Sequence, residues 1–212
     1  MRISYAGVDA FLLDMSEGVF RDDIQTRIWS LESLLKKKSA IQTIILGANN
    51  LLVTFDYEQH EASDIRQILH MTWEQAEAAD ITPRELVIPV TYGGMEGEDL
   101  PFVAKVTGLS EKDVVALHTR SSYRVAMVGF SPGFGYLTGV PELLAIPRRD
   151  TPRINVEQKS VGLAGGFTAV TPSKGPSGWH MLGKAHCPPL FDATADIPCL
   201  LKAGDIVRFV SS

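Results

Sequence analysis

The residues whose types and spacing could carry chemistry lie in the second half of the 212-residue chain. The densest cluster is GFSPGFGYL, Gly129 to Leu137, in which three glycines and a proline alternate with Phe130, Phe134 and Tyr136. Glycine lets backbone approach a partner closely and the rings offer an apolar wall, so Gly129, Phe130, Pro132, Gly133, Phe134 and Tyr136 are candidate substrate-binding residues. The competing reading makes the same aromatics the cap of a β core. A second candidate is PRRDTPR, whose Arg148, Arg149 and Arg153 present guanidinium forks suited to a carboxylate or phosphate on a bound acid. Otherwise they are solvated charges on a proline-stiffened loop. His118, near the end of a predicted helix, suits either a general base or a partner for the last carbonyls of that helix.

Two apparent motifs fail on chemical grounds. Gly178 to Lys184 fits G-x-x-x-x-G-K, but Ala185 stands where a phosphate loop needs a hydroxyl to hold magnesium. Pro188 and Pro189 also forbid the helix that should follow, so the stretch reads as a barrel strand carrying Trp179, Met181 and Leu182. His186 beside Cys187, with Cys199 further on, does not make the paired set that zinc requires, and no metal held by this chain is expected.

These residues need elements to position them. Up to about residue 82, short β-rich runs alternate with amphipathic helical stretches, which predicts a small α/β domain. Ile3 to Ala6 with Ala10 to Met15, and Ile41 to Leu46 with Leu51 to Phe55, read as hairpins around Gly7 and GANN. Ile24, Ile28, Leu31 and Leu35 recur at helical spacing, and Ile65, Ile68, Leu69 and Ala76 do so within a helix expected from Ser63 to about Ala79. Lys36, Lys37 and Lys38 read as the end of the first helix, with a basic docking patch as the alternative.

From Leu86 onward glycine and proline become frequent, and the pattern is that of a compact β-barrel or sandwich. A first strand is expected at Leu86 to Tyr92, helices near Leu100 to Thr107 and from Ser110, and a strand at Tyr123 to Phe130. Ser110 with Asp113 marks a capped helix start. Leu200, Leu201, Ile206, Val207 and Phe209 around Ala203-Gly204-Asp205 predict a final hairpin. AADITP separates the halves, giving domains at 1–82 and 86–212 and an α+β fold overall.

Acidic residues outnumber basic ones, 25 to 20, which argues against nucleic acid or an anionic membrane surface as a partner. No stretch approaches the ~20 apolar residues of a membrane-spanning helix. The amino-terminal run MRISYAGVDAFLLDMSEG, broken by Asp9 and Asp14, does not read as a signal peptide, so the expected location is cytoplasmic.

GFSPGFGYL resembles the signature of the family that includes the B-type subunit of 5-oxoprolinase, the first subunit of allophanate hydrolase and the sporulation kinase inhibitor. IPVTYGGMEGEDL and GLSEKDVVALH upstream, and IPRRDTPRINV, SVGLAGG, PSGWHMLGK and AGDIVRF downstream, follow in that family's order. The resemblance is close over residues 86–210 and only one of overall pattern before that. It implies a cyclophilin-like β-barrel after the small α/β domain, paired with a second cyclophilin-like subunit of the C type and with a third protein of the A type. It also implies ATP-dependent opening of a small lactam or a related amide, with ATP acting at the level of the complex. Arg148 and Arg153 match recurrent family arginines, and His118 matches a family histidine. The implied roles are anion holding for Arg148 and Arg153, with Arg153 and the proton-handling His118 as the catalytic pair, and a pocket wall from Gly129 to Tyr136.

Departures from the family pattern bear on the substrate. Phe167 and Val170 replace a glutamine and an aromatic residue, and Glu157, Gln158 and Lys159 replace a proline-glycine turn. The branch that inhibits a histidine kinase, a binding role without catalytic residues, is the competing function.

Overall fold

The computed structural model describes residues 1–15, 18, 20–77 and 82–212, and it divides into compact units at Met1–Thr82 and Pro83–Ser212. In the first unit β1 (Arg2–Tyr5) and β2 (Ala10–Asp14) precede α1 (Asp22–Leu35), and β3 (Thr43–Leu46) and β4 (Asn50–Thr54) precede α2 (Ala62–Gln75). The two expected hairpins are both present, and β2 pairs with β4 to join them into one antiparallel sheet of order β1-β2-β4-β3. Phe11 and Leu13 alternate inward with Leu51 and Val53, and they meet Ile28, Leu31 and Leu35 of α1 and Ile65 and Leu69 of α2 in one core. Asn49, in the left-handed region at φ 55° within the GANN turn, accepts from the Arg21 N–H (2.6 Å) and donates to the Arg21 carbonyl (2.8 Å). It thereby replaces the side-chain cap that α1 lacks at its own start. Lys36 lies at the C-cap of α1 and pairs with Glu32 one turn earlier at 2.7 Å. The second helix ends at Gln75, where Ala76 turns extended, short of the expected end near Ala79; residues 78 and 79 themselves lie outside the described residues.

The second unit opens with β5 (Glu85–Tyr92), α3 (Leu100–Thr107) and α4 (Glu111–Arg120), then β6 (Tyr123–Val128) and β7 (Gly135–Thr138). There follow β8 (Arg153–Val156), β9 (Ser160–Ala164), β10 (Phe167–Val170), β11 (Gly175–Ser177), β12 (His180–Ala185) and β13 (Ile206–Ser211). Seven of these strands close into a barrel of order β10-β7-β6-β13-β5-β12-β9, while β8 and β11 pair outside it. Closure leaves the barrel without an open edge. Ile88, Val90, Tyr123, Val125, Leu137, Val161, Val207 and Phe209 fill its interior. The helices arise as the sequence indicates: Gly108 ends α3 in the left-handed conformation, and the Ser110 hydroxyl accepts from the Asp113 N–H at 3.1 Å to cap α4.

The expected closing hairpin is corrected. Only its second arm is a strand, and β13 runs parallel to β5 and antiparallel to β6. The place a returning strand would need is taken by the turn itself, since Gly204 N–H donates to the Val125 carbonyl and the Val125 N–H to the Asp205 carbonyl, both at 2.8 Å. Leu201 is buried as a plug in the barrel core instead of pairing. Arg84 donates through Nε to Asp205 at 3.0 Å, tying the chain entering β5 to the turn before β13.

Each unit holds its own core, so a chain beginning at Pro83 is expected to fold alone. Expressed as residues 83–212, it should unfold in one cooperative transition with urea. A gradual, non-cooperative loss of signal would show that the barrel depends on the first unit.

Candidate functional site

A cavity of about 450 Å³ opens where the GFSPGFGYL loop meets the segment around β11. Its wall is aromatic. Phe134 stands edge-to-face with Tyr136 (ring centroids 4.9 Å apart) and with Trp179 (5.6 Å), and Tyr136 lies 6.0 Å from Trp179. Such perpendicular contacts are favourable because the positive ring edge meets the negative face. Phe167 extends the set by packing on Tyr136 at 5.9 Å.

The loop holds this wall through tight backbone geometry. The Gly129 N–H donates to the Phe134 carbonyl, and the Phe134 N–H to the Ser131 carbonyl, both at 3.0 Å. Gly133 has φ 81°, and a β-carbon there would stand 2.6 Å from the Leu190 carbonyl oxygen, so only glycine fits. Phe130 is the exception to relaxed geometry. It takes φ 70° without being glycine, and its ring is 78% exposed at the cavity mouth, 5.6 Å from Phe134. A bulky residue held in the left-handed region costs on the order of 1 kcal/mol or more, and the turn imposes that cost while displaying an aromatic to solvent.

Arg148 and Lys174 bring positive charge to the cavity. Lys174 is paired with Glu157 at 2.5 Å, whereas Arg148 has no hydrogen bond or ion pair to any described residue. Burial raises the pKa of the neighbouring Tyr136 phenol, and the charge of Arg148 offsets that rise only in part. The phenol therefore stays protonated and available as a donor.

The other two arginines are committed elsewhere. Asp99, 3% exposed, accepts from Nη1 of Arg149 (2.7 Å), from Nη1 and Nη2 of Arg153 (2.6 and 2.7 Å) and from the Met181 N–H (2.7 Å). Nε of Arg153 also meets Glu98 at 2.8 Å. Burial alone would raise the pKa of Asp99, but the bonds from Arg153 and Met181 and the charges of both arginines outweigh it and hold the carboxyl below its usual range. Arg153 thus faces Asp99 and Glu98 and is not among the residues lining the cavity.

His118 is also remote from the cavity lining. It is fully buried in the barrel, its ring 4.8 Å from that of Phe209. The Thr168 hydroxyl donates to the Gly162 carbonyl (2.9 Å), so it accepts from Nε2 of His118 (3.1 Å), and Nδ1 is left to accept from the Tyr92 hydroxyl (2.7 Å). This arrangement assigns the proton to Nε2. The last carbonyls of α4 are not what the ring bonds, and the His118 carbonyl itself accepts from the Tyr123 hydroxyl at 2.9 Å. Burial lowers the His118 pKa to about 3.

Gly178 to Lys184 runs into strand β12. A β-carbon on Gly183 would come within 2.3 Å of the Thr91 carbonyl oxygen, so this glycine serves close strand approach and the motif does not fit nucleotide phosphates. Among the described residues no group of three or more His, Cys, Asp or Glu could hold a metal ion. None of the described helices is long and apolar enough to cross a membrane. A second depression of about 620 Å³ around Lys159, Lys184 and Cys187 gathers none of the sequence-predicted site residues. Sequence reasoning missed Asp99 and read Trp179 only as part of a strand. The acidic run EGED and the pairing of PSGW with GFSPGFGYL were the available signals.

With its closed barrel and aromatic cavity, the chain belongs to a carboxyltransferase-domain family. The family described as "Carboxyltransferase domain, subdomain C and D" matches residues 1–201. The chain is 44% identical to the B-type subunit of 5-oxoprolinase from Escherichia coli O157:H7 over 186 residues, 88% of this chain and 85% of that protein. It is 38% identical to the corresponding 5-oxoprolinase subunit of Haemophilus influenzae, again over 186 residues, covering 88% of this chain and 86% of the other. Among solved structures, TTHA0988 superposes with a TM-score of 0.81 at 33% identity over 96% of this chain, which spans only 39% of that longer one. The chain belongs to the family of B-type 5-oxoprolinase subunits.

The buried histidine gives a pH prediction. Unfolded, His118 titrates near 6.5, and folded near 3, so between those values the unfolded chain takes up a proton that the folded chain refuses. Its contribution to stability is therefore complete above about pH 6.5 and falls on acidification by up to about 1.4 kcal/mol per pH unit. His118→Gln should lower stability at pH 7.5 by roughly 1–3 kcal/mol and flatten the dependence between pH 6.5 and 4.5. Urea titrations across that range check it, and an unchanged slope would mean that other groups carry the acid sensitivity.

Proposed function

We propose that this chain is the B-type subunit of an ATP-dependent 5-oxoprolinase complex and that the aromatic cavity binds the lactam. The observation that carries the reading is Arg148, an unpaired guanidinium beside an apolar wall. A small planar lactam bearing one carboxylate matches that pair of features: the ring lies against Phe134 and Trp179, and the carboxylate meets the guanidinium fork. The protonated Tyr136 phenol is placed to donate to an oxygen of the ligand, which would favour charge developing on the amide oxygen.

The site is incomplete for hydrolysis. The cavity lining contains no Asp, Glu, His or Cys among the described residues, so it offers neither an ordinary general base nor an activated nucleophile. The remaining groups, and the ATP-binding site, are assigned to partners: a second subunit of the C type and a third protein of the A type. In this reading the barrel is cyclophilin-like, the assembly works in the cytoplasm, and Phe130, strained and exposed, lies on the surface that a partner covers. His118 and Arg153 support the site from the barrel core and from the Asp99 ion pair.

Co-expression with the C-type subunit should give a stable heteromer, and adding the A-type protein should give ATP-dependent hydrolysis of 5-oxoproline that this chain alone lacks. In the assembled enzyme Arg148→Ala should raise KM for 5-oxoproline by about 10- to 100-fold, the scale of a lost charged hydrogen bond. Turnover with unchanged KM would remove the lactam from this cavity. A heteromer without turnover would point to a different substrate or to the kinase-binding reading.

A further inference from the structure

We infer that Asp99 is a positioning residue that locks the arm 147–153 so that Arg148, alone of its three arginines, is presented to the cavity; this rests on the placement of the ligand beside Arg148. The arm is an irregular, proline-punctuated segment, which by itself would leave the direction of each arginine undetermined. Fixed bonds stand on both sides of Arg148. Before it, the Pro147 carbonyl accepts from Nε2 of His180 at 3.0 Å. After it, the Arg149 N–H donates to the Gly178 carbonyl at 2.8 Å, and the Arg149 and Arg153 side chains converge on Asp99.

The cost of this arrangement indicates what it is for. His180 is 4% exposed, and its Nδ1 has no partner among the described groups, so the ring spends its one bond on the Pro147 carbonyl. Two cations drawn to one buried carboxylate must stay together, because an unpaired charge there is strongly unfavourable. Asp99 also bonds β12 twice, accepting from the Met181 N–H at 2.7 Å and donating its own N–H to the Met181 carbonyl at 3.1 Å. The strand it holds begins one residue after Trp179, so the same carboxylate registers the aromatic wall against the arm. Arg149 and Arg153 are neutralised by Asp99 and Glu98 and Lys174 by Glu157, and among the described residues the cavity is left with one free positive charge. That charge count suits a ligand with one negative charge.

The test uses Asp99→Asn, which keeps the shape and removes the charge. Hydrogen exchange of the Arg149 amide, which reports the bond to Gly178, should accelerate at least tenfold while the Val161 and Leu163 amides in the barrel stay protected. In the assembled enzyme KM for 5-oxoproline should rise about tenfold with kcat within threefold, and in an Arg148→Ala background the same substitution should add less than twofold. A purely structural role would instead lower kcat by as large a factor as it raises KM, or act equally in both backgrounds, and either outcome overturns the inference. An unmoved Arg149 amide overturns it whatever the kinetics. A mobile amide with unchanged KM keeps the positioning and removes the cavity from the reaction. Should Asp99→Asn fail to fold, Arg153→Lys keeps the charge, gives up the bidentate fork and must show the same pattern at smaller amplitude.

Discussion

The carboxylate of Asp99 takes four hydrogen bonds, three from the guanidinium groups of Arg149 and Arg153 and one from the backbone of β12. Desolvation opposes its charge, and the bonds from Arg153 and the Met181 N–H, with the charges of both arginines, together more than reverse that opposition. A pair of this kind contributes little net stability compared with well-packed apolar residues of the same volume. What it contributes is geometry, since both guanidinium groups converge on the one buried carboxylate. The arm that carries Arg148, the start of β12 and the turn at Gly178 all take their positions from this node. The cavity exists where it does because those segments are held against the GFSPGFGYL loop.

A second buried network has a different character. Tyr92, His118, Thr168 and the Gly162 carbonyl form a chain in which each donor has one acceptor and no charge is needed. Neutral and fully satisfied, it crosses the barrel core without the penalty of an orphaned polar group. The two networks divide the labour between them: the charged one sets the rim and the uncharged one joins α4 to strands β5, β9 and β10. A histidine in this position is a member of the core.

Local signals in the sequence carried far, and long-range partnerships did not. The start of α4 was legible because Ser110 and Asp113 interact three residues apart, and the wall was legible because Phe130, Phe134 and Tyr136 sit in one loop. The arm alone offered Arg148, Arg149 and Arg153 equally, and only the family resemblance set Arg148 and Arg153 apart. The fates of Arg149 and Arg153 were hidden because their partner lies 50 and 54 residues away, and nothing in PRRDTPR distinguishes a committed guanidinium from a free one. The closing hairpin was misread for a related reason. Two apolar runs around Gly204 look the same whether the first pairs as a strand or, as with Leu201, packs into the core. Lys159 shows the converse: at φ 65° it occupies a backbone conformation suited to glycine, which its residue type does not announce.

The central claim is that the aromatic cavity, with Arg148 as its cation, is where the lactam binds. The most direct measurement is a crystal structure of the assembled complex with 5-oxoproline bound and ATP withheld. The account predicts the ligand ring against Phe134 and Trp179, with its carboxylate within hydrogen-bond distance of the Arg148 guanidinium and Arg149 and Arg153 still on Asp99. A ligand bound elsewhere while this cavity holds only solvent would contradict it.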